Sequence, residues 1–500
     1  MDTYGIIAID AGTTSIRAVL FDRSGRPVAF AQAENPPVYF EDGRVEQDAS
    51  TWREALFRIL SELSGAAGAE GVRIEAVTIT ANRSCVIPVD SRGEALHPAI
   101  MWQDTRTDGI CRELAPASRG VYERSGLPIT SVFSAVKMAW FRRERPEIWV
   151  RTARMLGVQD YLVFLLTGRF ITNRSLASRT NLLGLESGSW DLELLETFGI
   201  ERRVLCDLVD PGEEAGALTS DAASATGLPP GIPVVTAGGD QQCAAFGMGL
   251  LAAGDVVANT GTGAYVIGLS DRPVRDPEMR LYCNISAMPG RFVVEAASPA
   301  AGVAYRWVRD RFYGGPDGSA DGFGAINAEV EASPPGANGV VHLPRFKSMG
   351  PVRPGRGAPA GPGGRASFHG IGLSTSRGDL ARAVLEGVAG DLADNLGLIE
   401  RWTGPKDTVR AAGGLTRFPE FDRILASLCG RPVVLAPESE ATARGAWISA
   451  AVRLGLYPDA AAAYSASGAG AGDRVFEPDP GRREVYERLR EERRKLEVNG

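Results

Sequence analysis

The sequence constrains the fold most strongly through a pattern that occurs twice: an apolar run, a turn of Gly, Thr and Ser, and a second apolar run. The first copy spans Tyr4 to Phe21, with the turn Asp10-Ala11-Gly12-Thr13-Thr14-Ser15 at its centre. The second spans Asp255 to Leu269, around the turn Thr260-Gly261-Thr262-Gly263. A strand–turn–strand unit in each half predicts two α/β domains of similar design that meet near residues 245 to 255.

The length of the chain, 500 residues, also predicts more than one domain, because a single hydrophobic core rarely serves so many residues. We place the two domains at residues 1–247 and 248–500. A hydrophobic fraction of 44% is ordinary for a protein with a large buried core. The net charge of -7 disfavours unspecific nucleic-acid binding, which needs a basic surface, yet a few local donors can still hold a phosphate.

The cysteines and histidines limit which metal sites and catalytic sites the chain can contain. The six cysteines are scattered without a C-x-x-C pair, which fits a reduced, cytoplasmic protein and argues against a zinc or redox cluster. Three histidines are too few for a His-rich metal site and argue against a Ser-His-Asp hydrolase. The chain opens directly on a strand-like run, so we expect no signal peptide, and no apolar run is long enough to span a bilayer.

Hydrophobic periodicity predicts several further elements. They are strands at Pro27 to Gln32, Glu75 to Thr80 and Thr408 to Ala411, a helix at Asp48 to Leu63, a small-residue helix beginning within Glu438 to Gly445, and a charged, solvated helix at Arg482 to Leu496. The Gly, Pro and Arg-rich residues 345 to 366 predict an irregular loop. Residues 459 to 472 predict a helix end followed by a loose surface loop.

The two Gly/Thr turns have the composition of phosphate-binding loops. Glycine lets the backbone approach a polyanion closely, and successive N–H groups can surround phosphate oxygens. The hydroxyls of Thr13, Thr14 and Ser15 add donors, and Asp10 can hold Mg²⁺ directly or through water. One such turn alone fits an ordinary polar hairpin equally well. Two of them in one chain favour a nucleotide bound from both sides, although no G-x-x-x-x-G-K-[ST] motif is present.

Three further segments carry side chains suited to a small hydroxylated substrate. Asp240 follows an apolar run and a Gly pair, where it can accept a proton from a hydroxyl or, alternatively, cap a helix. Trp102 beside Gln103 can bind the C–H face of a polyol, and Asn82-Arg83-Ser84 follows a predicted strand, where α/β sheets collect ligands. A role in domain packing is equally open for both segments. Gly413-Gly414 after a strand can admit an adenine ring.

Taken in order, these segments resemble the FGGY carbohydrate kinases, a branch of the actin/hexokinase/Hsp70-like ATPase fold. The resemblance runs nearly end to end. The segments that carry it are Asp10 to Arg17, Trp102 to Arg106, Gly239 to Gln242, Thr260 to Gly263, Gly370 to Leu373 with Leu385 to Gly387, and Ala412 to Gly414 with Glu440 to Ala446. Each motif is short, but six in register are specific.

The resemblance implies two actin/hexokinase-like (ribonuclease H-like) α/β domains with an interdomain active-site cleft, and ATP with Mg²⁺ as cofactors. It implies that Asp240 is the general base and lies with Asp10 near Mg²⁺. The residues implied at the phosphates are Thr13, Thr14, Ser15, Arg17, Gly261 and Thr262. Gly413 and Gly414 are implied beside adenosine. The residues implied at the substrate are Arg83, Ser84, Trp102 and Gln241.

The resemblance leaves the substrate open. Glycerol kinases bind glycerol with an Arg-Glu pair and a Tyr, and here Arg83 matches while Ser84 and Val132 take the other two positions. The segments Leu380 to Gly387 and Glu440 to Ala446 look more like xylulokinases. We therefore expect a pentulose or a longer polyol. The alternatives are glycerol, a signalling ketone as in autoinducer-2 kinases, and an actin-like switch ATPase without a sugar substrate. A homodimer is the assembly we consider.

Overall fold

The computed structural model describes residues 3–298, 300–314, 321–346, 365–435 and 440–499. The strands are β1 Thr3–Ala11, β2 Ser15–Asp22, β3 Pro27–Glu34, β4 Val38–Tyr39, β5 Val45–Gln47, β6 Val72–Ala81, β7 Ile87–Val89, β8 Ala99–Ile100, β9 Arg154–Leu156, β10 Ile171–Asn173, β11 Leu183–Gly184, β12 Ser189–Trp190, β13 Asp207–Val209, β14 Glu214–Ala217, β15 Pro233–Gly239, β16 Val256–Thr260, β17 Ala264–Ser270, β18 Tyr282–Ile285, β19 Phe292–Ser298, β20 Val341–Leu343, β21 Ser367–His369, β22 Val409–Gly413, β23 Val433–Leu435 and β24 Arg474–Phe476.

The helices are α1 Ala49–Ala69, α2 Asp108–Glu113, α3 Ser118–Ser125, α4 Ser134–Glu144, α5 Pro146–Arg151, α6 Val158–Thr167, α7 Arg174–Ala177, α8 Leu192–Phe198, α9 Ser220–Thr226, α10 Asp240–Gly247, α11 Gly302–Phe312, α12 Asp321–Ala332, α13 Arg377–Thr403, α14 Pro419–Cys429, α15 Ala441–Arg453, α16 Ala460–Ala466 and α17 Arg483–Asn499. Short 3₁₀ turns complete the regular structure.

The chain forms two compact units, each built from three segments. The first unit comprises Met1–Leu251, Leu269–Val293 and Ser439–Ala469. The second comprises Ala252–Gly268, Val294–Glu438 and Gly470–Gly500. Both units contain helices and a mixed sheet, so the predicted α/β class with two units is confirmed. The division of the sequence into domains at residue 247 stays a prediction.

The first unit is built on a six-stranded sheet with the strand order β14-β15-β6-β1-β2-β3. Strands β1, β6 and β15 are parallel, whereas β2 is antiparallel to β1. Strand β1 is apolar along almost its whole length because both of its faces are buried. Ile7 and Ile9 join the core around α1, and Ile6 and Ala8 join a cluster that contains Trp447 of α15.

Helix α1 shows how the sequence sets a boundary. The side chain of Asp48 accepts a hydrogen bond of 2.9 Å from the N–H of Ser50 and so caps the helix N-terminus. Apolar residues at helical spacing then face the sheet. The helix predicted at Asp48 to Leu63 is confirmed, and it continues to Ala69.

The sheet of the second unit repeats the arrangement of the first. Six of its strands have the order β19-β17-β16-β22-β23-β24. Strand β16 is antiparallel to β17 across the Gly/Thr turn and parallel to β22, as β1 is to β2 and β6. The recurrence of the strand–turn–strand pattern in two units of similar design is therefore confirmed.

Two sequence predictions for the C-terminal region need correction. Residues 459 to 472 are not only a helix end and a loop, because Asp459 caps helix α16, which buries Ala463 and Tyr464. The helix predicted at Arg482 to Leu496 exists as α17, but it is not fully solvated. Its Arg493 is 1% exposed and donates a hydrogen bond of 2.7 Å to the carbonyl oxygen of Gly387 in α13.

Some predictions fall outside the residues that the structure describes. These are residues 347–364 of the predicted loop at 345 to 366, and Glu438 at the start of the segment that leads into α15. All six cysteines are described, and each is a free thiol. Within the described ranges, none of the helices has the length and apolar character needed to cross a membrane.

Candidate active site

The candidate site of the first unit lies where three neighbouring parallel strands end. Strands β1, β6 and β15 are adjacent in the sheet and run in the same direction, so their carboxyl ends meet at one edge. Asp10 lies near the end of β1, Arg83 follows the end of β6, and Asp240 follows the end of β15 directly. The fold thus brings together three ionisable side chains that are far apart in sequence.

Asp240 is the first residue of helix α10, and the preceding Gly239 is the N-cap residue. The alternative that Asp240 caps the helix is therefore wrong, although its negative charge is favoured in the first turn by the helix dipole. The Nε of Arg83 lies 3.5 Å from Oδ1 of Asp240. The side chain of Asp240 keeps 28% of its surface exposed, which leaves it accessible to a small molecule.

The ionisation of Asp10 is strongly perturbed by its surroundings at this edge of the sheet. Its Oδ1 is buried and has no hydrogen-bond partner in the described part of the chain. Burial of the carboxyl, together with the negative charges of Asp240 and Glu440, raises the pKa of Asp10 to about 7, although the positive charge of Arg17 opposes the shift. An orphaned carboxylate oxygen beside a second carboxylate is a place where a bound cation would be stabilised.

These two carboxylates fit Mg²⁺ rather than a metal held entirely by protein. Among the described residues, no group of three or more His, Cys, Asp or Glu side chains has metal-binding geometry. Mg²⁺ is usually held by one or two carboxylates together with water and substrate phosphates, so a pair of Asp residues is sufficient. Asp10 and Asp240 are the residues that could hold it.

The first Gly/Thr turn connects β1 to β2 and is fixed by two neighbours. The side-chain amide of Asn82 donates hydrogen bonds of 3.1 Å to the carbonyl oxygens of Ala11 and Gly12. The indole N–H of Trp102 donates to the hydroxyl of Thr13 at 3.1 Å. Trp102 is therefore in direct contact with the turn, and a residue predicted to bind the substrate is joined to one predicted to bind phosphate.

The remaining predicted phosphate residues of the first unit lie in or next to this turn. Thr14 is exposed and Ser15 is half-buried at the start of β2. Arg17 lies on β2 directly opposite Asp10 and is exposed. The turn thus presents hydroxyl groups and one guanidinium beside the carboxylate of Asp10.

The second unit brings together its own pair of predicted nucleotide-binding turns. Thr260 of β16 pairs with Gly413 of β22, so Gly261 and Gly414 follow the ends of two adjacent parallel strands. Gly261 and Thr262 are exposed, and their carbonyl oxygens accept hydrogen bonds of 3.0 Å from the N–H groups of residues 302 and 301. Gly413 has a φ of 107°, a conformation that favours glycine.

Two predicted substrate residues have side-chain groups turned away from solvent. Ser84 is 8% exposed, has a φ of 69°, and its hydroxyl donates to the carbonyl oxygen of Arg179 at 3.3 Å. Gln241 follows Asp240, and its Oε1 is buried without a partner in the described chain. Next to Trp102, Asp104 and Arg106 form a structural ion pair of 2.7 Å, so the packing alternative holds for these two residues.

Three residues of this region stood in segments that the sequence analysis singled out but were given no role of their own. Asn82 holds the first turn, Gln242 accepts a hydrogen bond from Arg83, and Glu440 adds negative charge near Asp10. Asn82 and Gln242 are each adjacent to a predicted site residue and share its segment, which was the signal that could have found them. Glu440 opens helix α15 with a φ of 56°, and its approach to Asp10 depends on a contact across 430 residues that no local pattern reveals.

Two models of one protein family match most of the chain. Residues 5–247 match the FGGY family of carbohydrate kinases, N-terminal domain, and residues 256–454 match the C-terminal domain of the same family. A glycerol kinase of Alkalilimnicola ehrlichii is 31% identical over 506 residues, which cover 97% of this chain and 96% of the relative.

Two further relatives differ in the substrate that they are named for. An autoinducer-2 kinase of Klebsiella pneumoniae is 30% identical over 97% of this chain and 92% of its own length. The crystal structure of a xylulose kinase from Rhodospirillum rubrum superimposes with a TM-score of 0.88 at 26% identity, over 99% of this chain and 98% of that one. The relatives thus share a reaction type and differ in the acceptor.

Proposed function

This chain belongs to the FGGY family of carbohydrate kinases, and from that premise we propose that it phosphorylates a pentulose or a longer polyol with Asp240 as general base. The protein is a phosphotransferase that uses ATP as donor and the hydroxyl of a sugar or polyol as acceptor. The observation that carries the finer proposal is the position of Asp240. Its partly exposed carboxylate lies at the start of α10, with the guanidinium of Arg83 at 3.5 Å.

The chemistry follows from these groups. Asp240 accepts the proton of the attacking hydroxyl, while Arg83, Ser84, Trp102 and Gln241 bind and orient the acceptor. Phosphoryl transfer depends mainly on positioning and on neutralising charge, so the remaining residues hold the nucleotide. Those at the phosphates are Thr13, Thr14, Ser15, Arg17, Gly261 and Thr262, and those at adenosine are Gly413 and Gly414.

Asp10 and Asp240 are the proposed ligands of Mg²⁺. The orphaned Oδ1 of Asp10 and its raised pKa support this assignment, because a cation would relieve the repulsion between the two carboxylates. When bound, Mg²⁺ neutralises charge on the phosphate oxygens. A homodimeric assembly and a cytoplasmic location stay predictions.

The choice of acceptor rests on Ser84. Glycerol kinases place a carboxylate at this position, which accepts hydrogen bonds from two hydroxyls. Here Ser84 offers one hydroxyl oxygen, whose proton is donated to the carbonyl oxygen of Arg179, so it can accept from fewer hydroxyls than a carboxylate can. A pentulose or longer polyol, which offers more hydroxyls to other residues, is therefore favoured over glycerol.

The test is ADP release from ATP·Mg²⁺ across a panel of pentuloses, polyols, glycerol and autoinducer-2-type ketones. We expect one ketose or polyol to raise turnover far above background and the Asp240→Asn variant to lose at least about 10²-fold of it. Asp221→Asn is the matched control, since Asp221 is an exposed carboxylate in the first turn of α9 in the same unit. ATP turnover that ignores every compound and is unchanged by Asp240→Asn would favour the switch ATPase.

A further inference from the structure

We propose that Gln242 is a positioning residue that fixes the guanidinium of Arg83 against Asp240, so that Arg83 can bind the acceptor. The inference rests on the proposed roles of Asp240 and Arg83 and adds a residue to that site. The contacts of the Arg83 side chain support this role of Gln242, and its position in a sequence motif is not used.

The Arg83 side chain is held from two sides. Its Nη1 donates a hydrogen bond of 3.2 Å to Oε1 of Gln242, and its Nε lies 3.5 Å from Oδ1 of Asp240. Residues two apart on a helix do not face each other, so Asp240 and Gln242 meet only through the arginine that bridges them. Gln242 is 2% exposed, and 9% of the Arg83 side chain is exposed, so the contact is shielded from water.

The backbone provides room for this contact at Gly239. A Cβ at this position would lie 2.6 Å from Cδ of Arg83, closer than two carbon atoms can approach. The absence of a side chain therefore lets the stem of Arg83 lie against the start of α10. Any larger residue would displace the guanidinium from Asp240.

The chemistry of the amide explains why glutamine suits the position. Its Nε2 is buried with no acceptor in the described part of the chain, and a buried orphan donor is unfavourable. An apolar side chain would avoid that orphan donor but could not accept from Arg83. A carboxylate would accept from Arg83 but would compete with Asp240 for its charge. The neutral acceptor orients the guanidinium and leaves its positive charge to Asp240.

Two substitutions of Gln242 test separately the orientation of the Arg83 guanidinium and the effect of an added negative charge. Gln242→Met removes the acceptor, and we expect the KM for the sugar or polyol to rise about tenfold with the KM for ATP little changed, since hydrogen bonds to charged groups are strong. Gln242→Glu keeps an acceptor and adds a negative charge. It should keep Arg83 oriented, so we expect the KM for the sugar or polyol to rise less than in Gln242→Met, while kcat falls because the added carboxylate competes with Asp240 for the guanidinium.

Chemical labelling of Arg83 does not require turnover, so it tests the role of Gln242 independently of the proposed function. We expect phenylglyoxal to label Arg83 faster in Gln242→Met than in the wild type, as followed by peptide mass spectrometry. The control is Gln159→Met, because Gln159 is a fully buried glutamine whose Oε1 accepts a 3.0 Å bond from Asn173 and whose Nε2 is also orphaned. Labelling and acceptor KM that do not change in Gln242→Met would overturn the inference. An inactive wild type would instead overturn the proposed function.

Discussion

At the scale of single residues, Asp10 shows how burial changes the ionisation of a carboxylate that we propose to hold a cation. The same burial and neighbouring charge that raise its pKa to about 7 make the ionised form unfavourable in the metal-free protein. An acid whose pKa is raised by folding makes the folded state less stable as pH rises from about 4 to about 7, because the unfolded chain releases its proton first. The residue is thus destabilising at neutral pH until a cation binds.

We therefore predict that Asp10→Asn stabilises the metal-free protein much more at pH 8 than at pH 4.5. The free energy of unfolding at pH 8 should increase by about 2 kcal/mol. This is less than the pKa shift alone would give, because the side chain is partly exposed to solvent. Thermal unfolding with EDTA at the two pH values measures it, and Mg²⁺ should stabilise the wild type at pH 8 more than the variant. Asp221→Asn should show no such pH dependence. An equal shift of the unfolding midpoint at both pH values would contradict this account of Asp10.

At the scale of elements, the pair of strands β16 and β22 shows how the turns that we propose to bind the nucleotide depend on close backbone approach. Gly413 ends β22 in a left-handed conformation, and a Cβ there would overlap the carbonyl oxygen of Thr260. The hydroxyl of Thr260 also donates to the carbonyl oxygen of Ala412 at 3.0 Å. The two strand ends therefore approach so closely that Gly413 has no room for a side chain, and the hydroxyl of Thr260 joins them.

Gly413→Ala should destabilise the second unit by about 3 kcal/mol or more, since it combines backbone strain with a steric clash. It should also raise the KM for ATP. Gly430→Ala is the matched control, because Gly430 has a φ of 66° in the same unit but nothing within 4 Å of its would-be Cβ, and about 1 kcal/mol is expected. Urea unfolding of the two variants compares them, and equal midpoints would show that the approach to Thr260 is unimportant.

The helices and strands also show which parts of the fold could be predicted from the sequence. Strands β1, β2 and β16 were predictable because their apolar runs flank Gly/Thr turns, and α1 because Asp48 caps an apolar stripe. Helix α16 was missed because Ala and Gly give no hydrophobic period. In the site, Asp10 and Asp240 were found through the turns beside them. The Arg83–Gln242 contact depends on the register of β6 with β15, which no local pattern encodes.

At the scale of the whole molecule, the first unit is completed by a segment from the far end of the chain. Helix α15 lies against β1, β6, β15 and α10. Its Trp447, which is fully buried, belongs to the same cluster as Ile6, Ala8 and Phe21. Gly445 of α15 approaches the carbonyl oxygen of Cys243 so closely that a Cβ would overlap it. Among the described residues, α15 and the residues that follow it thus supply much of the cover for one face of the six-stranded sheet, beside Phe246 of α10 and Ala287.

We predict that residues 1–251 expressed alone are aggregation-prone and bind the dye ANS, because this apolar face is exposed without α15. Co-expression with a peptide of residues 439–469 should raise the soluble yield. A peptide carrying Trp447→Asp should not, since it cannot bury a charge against Phe21. A soluble, ANS-negative fragment 1–251 would show instead that the sheet face is stable without its cover.

The order of the segments along the chain also determines when the first unit can be completed during translation. The ribosome must add about 190 residues after Leu251 before the covering segment begins, which takes about 10 to 40 s at ordinary elongation rates. During that interval one face of the sheet of the first unit lacks the cover that α15 supplies. The nascent chain would therefore depend on chaperones longest in its earliest-made half, and a pause in translation before residue 439 would endanger the part of the protein that is already finished.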